Sequence, residues 1–266
     1  MALSFVAEVT FLGTLTHNRD QITSLDALRA DLANATAPVG PLDEHGQELE
    51  AARPVAILEI PALGIREVVG EGTSAAVTMS GPGHRRDSVL PGQVGVSVLF
   101  GRSSAFGAPF QNIASLRPGT PIVAETGQGR SEFRVTAVRR AGDPLPQPLP
   151  AGASRLLLIT ADGGWFQPTG VVMVDATAVT KSFDTGPQLR SSQLEPSERL
   201  MAGDTSNTNL FPLVLWCQLL LALSVALVWS ALRWGRWQTW LVGVPAVLAV
   251  GLCVVDHLCQ TLPNLL

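Results

Sequence analysis

The stretch RLLLITADGGWFQPTGVVMVDATAV, residues 155–179, contains two short apolar runs separated by a turn rich in glycine. Aliphatic and β-branched runs of this length, bounded by Gly and Pro, are typical of β-strands. Similar runs precede it along the chain from Pro54: VAILEI, REVVG, VGVSVLF, PIVAE and EFRVTAVRR. We therefore predict a mainly β domain over residues 54–180, built as a closed barrel or a sandwich.

The end of the chain differs from this domain, because it contains two long apolar segments. Leu210–Leu232 has no charged residue and, at about 1.5 Å per residue, is long enough to cross a hydrocarbon layer of roughly 30 Å. Thr239–Val255 is a second, mostly apolar segment. The sequence predicts a transmembrane helical hairpin over residues 210–258, followed by an extracytoplasmic tail, residues 259–266.

The residues that connect the two apolar segments predict how the hairpin is oriented. Arg233 and Arg236 lie in this short connection, and an excess of Lys and Arg favours the cytoplasmic side. Tryptophans cluster at the same end, as in an interfacial aromatic belt: Trp229, Trp234, Trp237 and Trp240. We expect the protein in the cell membrane, with the Arg233–Arg236 loop cytoplasmic and the β domain extracytoplasmic.

The residues outside the β domain and the hairpin divide into three parts. Met1–Leu15 is apolar but too short to span a membrane comfortably, which favours a partial transmembrane helix or anchor, with a buried amphipathic helix as the alternative. Residues 16–53 contain a helix, predicted over Asp20–Pro38, and then a linker. Residues 181–209 are polar and lack periodicity, so they are predicted as a flexible tether.

Composition and charge exclude some classes of function. Hydrophobic residues make up 46% of the chain and the mean hydropathy is +0.27, which is apolar for a soluble protein. A net charge of −4 provides no basic surface for nucleic acid. Cys217, Cys253 and Cys259 all lie in or beside the apolar C-terminal segments, so we expect neither a disulfide nor a thiol nucleophile in the β domain.

The β domain also carries an ordered set of short motifs. They are IPALGI (60–65), the run Val69–Thr73, GPGH (81–84), LPGQ (90–93), Gly101 with FGAPF (106–110), LRPG (116–119) and Leu156–Ala161. In this order they resemble the sortases, cysteine transpeptidases that join proteins to the cell wall or to each other in Gram-positive bacteria, and most of all the class E-like branch. The resemblance covers Pro54–Val179 and implies the closed β-barrel of sortases.

Active sortases place a Cys, a His and an Arg around a groove at one end of the barrel. The Cys thiolate attacks the carbonyl of the sorting signal, the His supplies acid and base, and the Arg steadies the oxyanion. Aligned on VLFG and FGAPF, the position of the His is Arg102 here, and the position of the Cys is Ala161. The Arg expected near Gly170–Val172 has no counterpart. The resemblance therefore implies a sortase fold with a degenerate active site.

Candidate groove residues lie in or beside these motifs: His84, Arg102, Ser103, Ser104, Phe106, Thr160, Ala161 and Asp162. Arg102 stays protonated at physiological pH and cannot act as a base. A hydroxyl nucleophile would need an adjacent base, and the only histidine in residues 54–180 is His84, which we expect in a loop at the mouth of the barrel. No residue spacing indicates a metal site, and no cofactor is predicted.

Three functions remain open from the sequence. The first is a membrane-anchored, extracytoplasmic sortase-like pseudoenzyme that acts as a binding or scaffold protein at the cell envelope, with an envelope polypeptide as its partner. The second is a cysteine-independent sortase-like transpeptidase or hydrolase. The third is a subunit of a membrane complex that docks on a membrane-protein partner through its helical hairpin. All three place the hairpin in the lipid bilayer, and none involves nucleic acid.

Overall fold

The computed structural model describes residues 13–43, 46–164, 167–233 and 236–266. Most of the anchor predicted at residues 1–15 falls on residues 1–12, which lie outside the described residues, so it stays a prediction.

Eight strands close into a barrel, which confirms the predicted mainly β fold. They are β1 (Pro54–Ile60), β2 (Ile65–Glu71), β3 (Gly83–His84), β4 (Gly95–Phe100), β5 (Pro121–Thr126), β6 (Gly129–Arg140), β7 (Ser154–Gly164) and β8 (Gln167–Ala178). Around the barrel the order is β1-β2-β3-β4-β7-β8-β6-β5, and β5 pairs back onto β1. The apolar runs predicted every strand except β3, which is too short to form a run.

Successive side chains along each strand point alternately into the barrel and out of it. On β7, Leu156 and Leu158 are fully buried in the barrel core, together with Phe133 of β6. The intervening residues Ile159 and Ala161 belong to a different apolar cluster. Because successive side chains of a strand point to opposite faces, Ile159 and Ala161 lie on the outer surface of the barrel wall.

Helix α1 (Gly13–Asn34) packs against the outside of β1 and β2. The side chain of Gln21 pairs with both main-chain polar groups of Val68 on β2. It accepts from the Val68 N–H at 2.7 Å and donates to the Val68 carbonyl at 3.1 Å. The helix ends before the predicted stop at Pro38, since Ala35 adopts a left-handed φ of +55°. A short helix α2 (Ala75–Ser80) follows β2.

Residues 181–209 contact the barrel at several points. The Phe183 N–H donates to the Gly92 carbonyl at 2.8 Å. Further along, Glu198 is buried and accepts from Arg86 Nε at 2.9 Å, while Thr73 Oγ1 donates to its main-chain oxygen at 2.7 Å. Burial raises the pKa of the Glu198 carboxyl, although the charge of Arg86 opposes the shift. Through these contacts, residues 181–209 pack against the barrel before the hairpin begins.

The chain ends in two long helices, α3 (Asn207–Arg233) and α4 (Arg236–Gln260). The most apolar 18 residues within Asn209–Arg233 have a mean hydropathy of 2.3, and those within Thr239–Gln260 one of 2.1, so both helices are long and apolar enough to span a membrane. Two hydrogen bonds join opposite ends of the pair, Ser230 to Thr239 at 3.2 Å and Asn209 to the His257 carbonyl at 3.4 Å. The helices therefore form the predicted antiparallel hairpin.

Candidate functional site

The candidate site lies where β4 and β7 leave the barrel side by side. The two strands are parallel and in register, from Gly95 opposite Ser154 to Phe100 opposite Ile159. Arg102 follows soon after the end of β4, and Ala161 follows Ile159 on β7. Parallel neighbours end at the same edge of a sheet, so the fold brings the two positions singled out by the resemblance to one end of the barrel.

The Arg102 guanidinium is fully buried and ties two chain segments together. Its Nη1 donates to the main-chain oxygen of Leu266 at 2.8 Å, and its Nη2 donates to the Ala75 carbonyl at 3.1 Å. Burial lowers the pKa of Arg102 to about 10, with the charge of the nearby Cys259 opposing the shift. Arg102 is therefore still protonated at neutral pH, and it acts here as a hydrogen-bond donor and not as a base.

A strained turn places an aromatic ring beside this guanidinium. The ring centroid of Phe106 lies 5.0 Å from Cζ of Arg102, a cation–π distance. Phe106 itself has a φ of +50° and Ala108 a φ of +44°, which is uncommon for residues with a side chain. Between them, a Cβ added to Gly107 would stand 2.6 Å from the His17 ring, so only glycine fits against α1.

The chain's own last residues cover the outer surface of β4 and β7 at this point. Leu265 is fully buried and Leu266 is 5% exposed. Their side chains share one apolar cluster with barrel residues: Val98, Phe100, Ile159 and Ala161. The Ser103 N–H donates to the Leu265 carbonyl at 3.0 Å. The groove candidates Arg102, Ser103 and Ala161 are thus brought together around residues 265 and 266.

Asn264 anchors this tail through its side-chain amide. Its Nδ2 donates to the Thr73 carbonyl at 2.6 Å and to the Arg199 carbonyl at 2.9 Å. The Asn264 N–H also donates to the Ala202 carbonyl at 2.9 Å. The Leu266 N–H donates to the Pro263 carbonyl at 3.1 Å, so residues 263–266 form a turn.

Sequence reasoning missed the role of these residues, because residues 259–266 were predicted only as an extracytoplasmic tail. Pro263 and Asn264 are ordinary turn residues, and two leucines at a chain end match no motif. The apolar partners of Leu265 and Leu266 on β4 and β7 lie more than a hundred residues away along the chain. Only the folded chain shows that the tail and the groove meet.

The candidate hydroxyls all lie close to the groove, but they make structural hydrogen bonds. Thr160 Oγ1 donates to the Gly101 carbonyl at 2.8 Å, and Ser103 Oγ donates to the Leu265 carbonyl at 3.3 Å. Ser104 Oγ is buried without a hydrogen-bond partner among the described residues. In the described part of the chain, no histidine is hydrogen-bonded to any of these hydroxyls.

Asp162, the last candidate on β7, lies at the rim of the site and is partly exposed. Its Oδ2 accepts from Arg140 Nε at 2.8 Å. Arg140 comes from β6, whose pairing places it opposite Val172 of β8. The carboxylate of Asp162 is therefore paired with a cation from β6, across the intervening strand β8.

His84 lies on β3, in the barrel wall, and not in the loop that the sequence predicted. It is fully buried, with its Nδ1 at 2.8 Å from Glu71 Oε2 and its Nε2 at 2.9 Å from the Val89 carbonyl. Burial by itself disfavours protonation of His84. The charge and hydrogen bond of Glu71, the Val89 carbonyl and the charge of Asp87 outweigh it and raise the pKa of His84.

Ser88 extends this pair into an array that resembles a hydrolase triad, because its Oγ lies 3.2 Å from His84 Nε2. Ser88 also borders a surface cavity of about 370 Å³. Its hydroxyl, however, donates to the Arg85 carbonyl at 2.7 Å and accepts from the Val98 N–H at 3.1 Å. His84 Nε2 meets the Val89 carbonyl, which requires a proton on that nitrogen. The array is therefore arranged as structural support and not as a base facing a nucleophile.

One cysteine reaches the site, contrary to the sequence-based expectation that no thiol would be available to the β domain. Cys259, near the end of α4, is fully buried in a cluster with Ala105, Phe106 and Val255. This cluster joins the end of the hairpin to the loop that carries Arg102. The Cys259 thiol lies beside the site only because the hairpin folds back onto the barrel.

Comparison with protein families identifies the barrel. Residues 58–179 match the family model described as the sortase domain. No curated protein matches the chain.

The solved structure of one sortase supports the same fold. The chain is similar to a Clostridium perfringens sortase D5 transpeptidase, with a TM-score of 0.50 and 16% identity over 61% of this chain and 99% of that chain. It is also similar to sortase E1 from Streptomyces coelicolor, solved with a tripeptide in its active site, with a TM-score of 0.41 and 24% identity over 48% of this chain and 90% of that chain. At 16% identity, the similarity to the Clostridium perfringens enzyme supports the barrel fold alone.

Proposed function

Since residues 58–179 form a sortase domain, we propose that this protein is a membrane-anchored, extracytoplasmic pseudoenzyme that binds an envelope polypeptide at the degenerate groove. The observation that carries the proposal is the state of Arg102. The residue at the position of the family's His is a fully buried, protonated donor that bridges two main-chain oxygens. Such a group can bind peptide carbonyls, but it cannot accept a proton from a nucleophile.

The chemistry of the neighbouring residues supports the same proposal. Ala161 has no nucleophilic atom at the position of the family's Cys. Cys259 is fully buried under Ala105 and Phe106, so a peptide carbonyl has no path to its sulfur without movement of the hairpin. A thiol or hydroxyl nucleophile needs an adjacent base, and the imidazole of His84 is engaged by Glu71 and Val89. What remains at the groove is a surface suited to binding.

The full chain, purified in detergent, is expected to show no cleavage or transfer of sorting-signal peptides above the rate of a protein-free blank. The measurement is mass spectrometry of peptide products after long incubation. Variants Ser88→Ala, Ser103→Ala, Ser104→Ala, Asp162→Ala and Cys259→Ala, assayed in parallel, are expected to give the same blank rate. Turnover in the wild type that one of these changes abolishes would replace the binding proposal with the enzyme alternative and name its nucleophile or base.

The binding partner is tested by crosslinking from the groove in cells. A photo-crosslinking amino acid at Ala161 is expected to capture a separate polypeptide in those chains whose residues 265 and 266 have left the groove, and the same amino acid at the exposed Leu145, on the loop before β7, serves as the matched control. Capture of a membrane protein from Val225, which is exposed on α3, together with no capture at the groove, would favour the alternative in which the hairpin docks on a membrane complex.

We propose that the β domain lies outside the cell and that the connection between α3 and α4 is cytoplasmic. In a background with the native cysteines replaced, Ser191→Cys is expected to react with a membrane-impermeant maleimide in intact cells. Arg233→Cys, at the other end of α3, is expected to react only after lysis, because the two positions are separated by one membrane crossing. Labelling of Ser191→Cys only after lysis would reverse the proposed orientation.

A further inference from the structure

We propose that residues 261–266 are a resident ligand of the degenerate groove, and that the groove accepts polypeptide segments with an amide side chain followed by two aliphatic residues. Asn264, Leu265 and Leu266 occupy this site within the same chain. An envelope polypeptide with the same pattern would bind by displacing them. Only this displacement rests on the proposed function.

The groove recognises the main chain of the tail at successive residues. Arg102 Nη1 donates to the Leu266 main-chain oxygen at 2.8 Å, and the Ser103 N–H donates to the Leu265 carbonyl at 3.0 Å. The Ala202 carbonyl accepts from the Asn264 N–H at 2.9 Å. Such bonds hold a polypeptide in a defined register whatever its side chains are.

The side-chain preference comes from the surroundings of Asn264. Its Nδ2 faces two carbonyl oxygens, those of Thr73 and Arg199, at 2.6 and 2.9 Å. Two carbonyl acceptors around the fully buried Asn264 side chain select a group that carries an N–H donor and reject a carboxylate, which has no proton to offer. An amide is therefore favoured at this position, and its isosteric acid is excluded.

The next two positions are selected for aliphatic side chains. Leu265 and Leu266 are both buried against apolar side chains: Val98, Phe100, Ile159 and Ala161, with Leu157, Val171, Met173 and Met201 packed around them. The short side chain of Ala161 leaves its part of this surface open to the leucines. A polar or charged side chain at either position would lose its hydration against this apolar surface, which costs free energy.

Two buried polar atoms indicate that the tail is not a perfect fit. Arg102 Nε and Asn264 Oδ1 are both buried without a hydrogen-bond partner among the described residues. A buried unpaired group costs free energy that a better ligand would avoid. The tail compensates by its covalent attachment, which gives it a high local concentration at the groove. A ligand in trans therefore competes poorly until the tail is released.

The tail also couples the groove to the membrane hairpin. It follows directly after α4, and Val255 and Cys259 in the last turns of that helix pack against Ala105 and Phe106. Phe106 is the ring beside Arg102. A shift of the end of α4 would therefore move the tail together with the loop that carries Arg102 and Phe106.

Hydrogen exchange of the full chain in nanodiscs tests whether the tail closes the groove. The Ser103 amide is bonded to the Leu265 carbonyl, so its exchange rate reports the docked state. Asn264→Asp and Leu265→Asp are each expected to raise this rate at least about tenfold. Leu262→Asp is the matched control, since the same change falls on a residue outside the apolar cluster, and it is expected to leave the rate unchanged. An unchanged Ser103 rate in both tail variants overturns the proposal.

Binding in trans is measured with a fluorescent peptide of residues 260–266 and with the same peptide carrying Asn264→Asp. The first peptide is expected to bind Leu265→Asp at least about tenfold more tightly than it binds the wild type, because the attached tail no longer competes. The acid peptide is expected to bind neither protein. Equal binding of both peptides, or binding that is the same for wild type and variant, overturns the recognition pattern.

The two proposals fail in different ways. If the Ser103 amide is released and the peptide binds, but crosslinking from Ala161 in cells captures no polypeptide even in the Leu265→Asp variant, the resident ligand stands and the envelope-binding function falls. If crosslinking captures a polypeptide equally well in wild type and variant, the binding function stands and the tail does not control the groove.

Discussion

Replacement of His84 by leucine is expected to lower the free energy of unfolding by about 3–5 kcal/mol, because the buried Glu71 carboxylate loses its partner. Both side chains of this pair are 0% exposed, so water cannot take the place of the imidazole. The thermal midpoint of the full chain in detergent should fall by roughly 10 °C. The double variant Glu71→Leu/His84→Leu is expected to be more stable than the single variant, since it leaves no unpaired buried charge.

The same pair gives the barrel a defined pH dependence. The pKa of His84 is raised in the folded protein. Its stabilisation is therefore complete below the unfolded pKa, about 6.5, and is lost as the pH rises through the folded pKa. The thermal midpoint should fall as the pH increases above about 6.5.

Two variants separate the sources of this pH dependence. Glu198, whose pKa is also raised, contributes with the same sign but from a lower pH, so Glu198→Gln should keep the fall above about 6.5. The double variant Glu71→Leu/His84→Leu should lose it. A fall above this pH that survives in the double variant would place its origin outside the Glu71–His84 pair.

Charge reversal at Arg102 is expected to lower the free energy of unfolding by about as much as His84→Leu does. It should also release residues 261–266 from the groove. Arg102→Glu would place a carboxyl group against the main-chain oxygens of Ala75 and Leu266, which now accept from the guanidinium. All three groups would then be buried acceptors, and we expect a loss of about 4 kcal/mol or more in the free energy of unfolding. The thermal midpoint should fall by roughly 10 °C.

Arg102→Met is the matched control for charge reversal. It removes the two hydrogen bonds, but it also removes the cost of burying a cation, which the lowered pKa of about 10 reflects. These effects oppose each other, so the midpoint should fall by less than half as much as in Arg102→Glu. Equal shifts in both variants would mean that packing volume, and not charge, makes Arg102 important for stability.

Much of this protein was predictable because its signals are local. Runs such as VGVSVLF and RLLLIT predicted the strands of the barrel, and the uncharged segment Leu210–Leu232 predicted a helix long enough to span a membrane. Both predictions depend only on the periodicity and length of apolar residues. The ordered motifs added the family of the barrel, which the match over residues 58–179 confirms.

The candidate site was only partly predictable, since residue type does not determine which partner a side chain meets. Arg102 and Ala161 lie at the same end of the barrel because β4 and β7 run parallel and in register, whereas their role at a groove stays a prediction. His84 was expected in a loop, but it lies on β3 and pairs with Glu71 in the wall. Cys259 was assigned to the membrane segments alone, and the fold packs it against Phe106.

The sequence by itself determined the barrel and the apolar hairpin, because both follow from composition or from neighbours along the chain. The resemblance pointed to a groove beside Arg102 and Ala161. The tertiary structure alone decided what fills that groove. Leu265 meets Ile159 only after β4 and β7 have paired and the hairpin has returned to the barrel. Contacts between residues so far apart in sequence depend on the closed fold, and no local pattern encodes them.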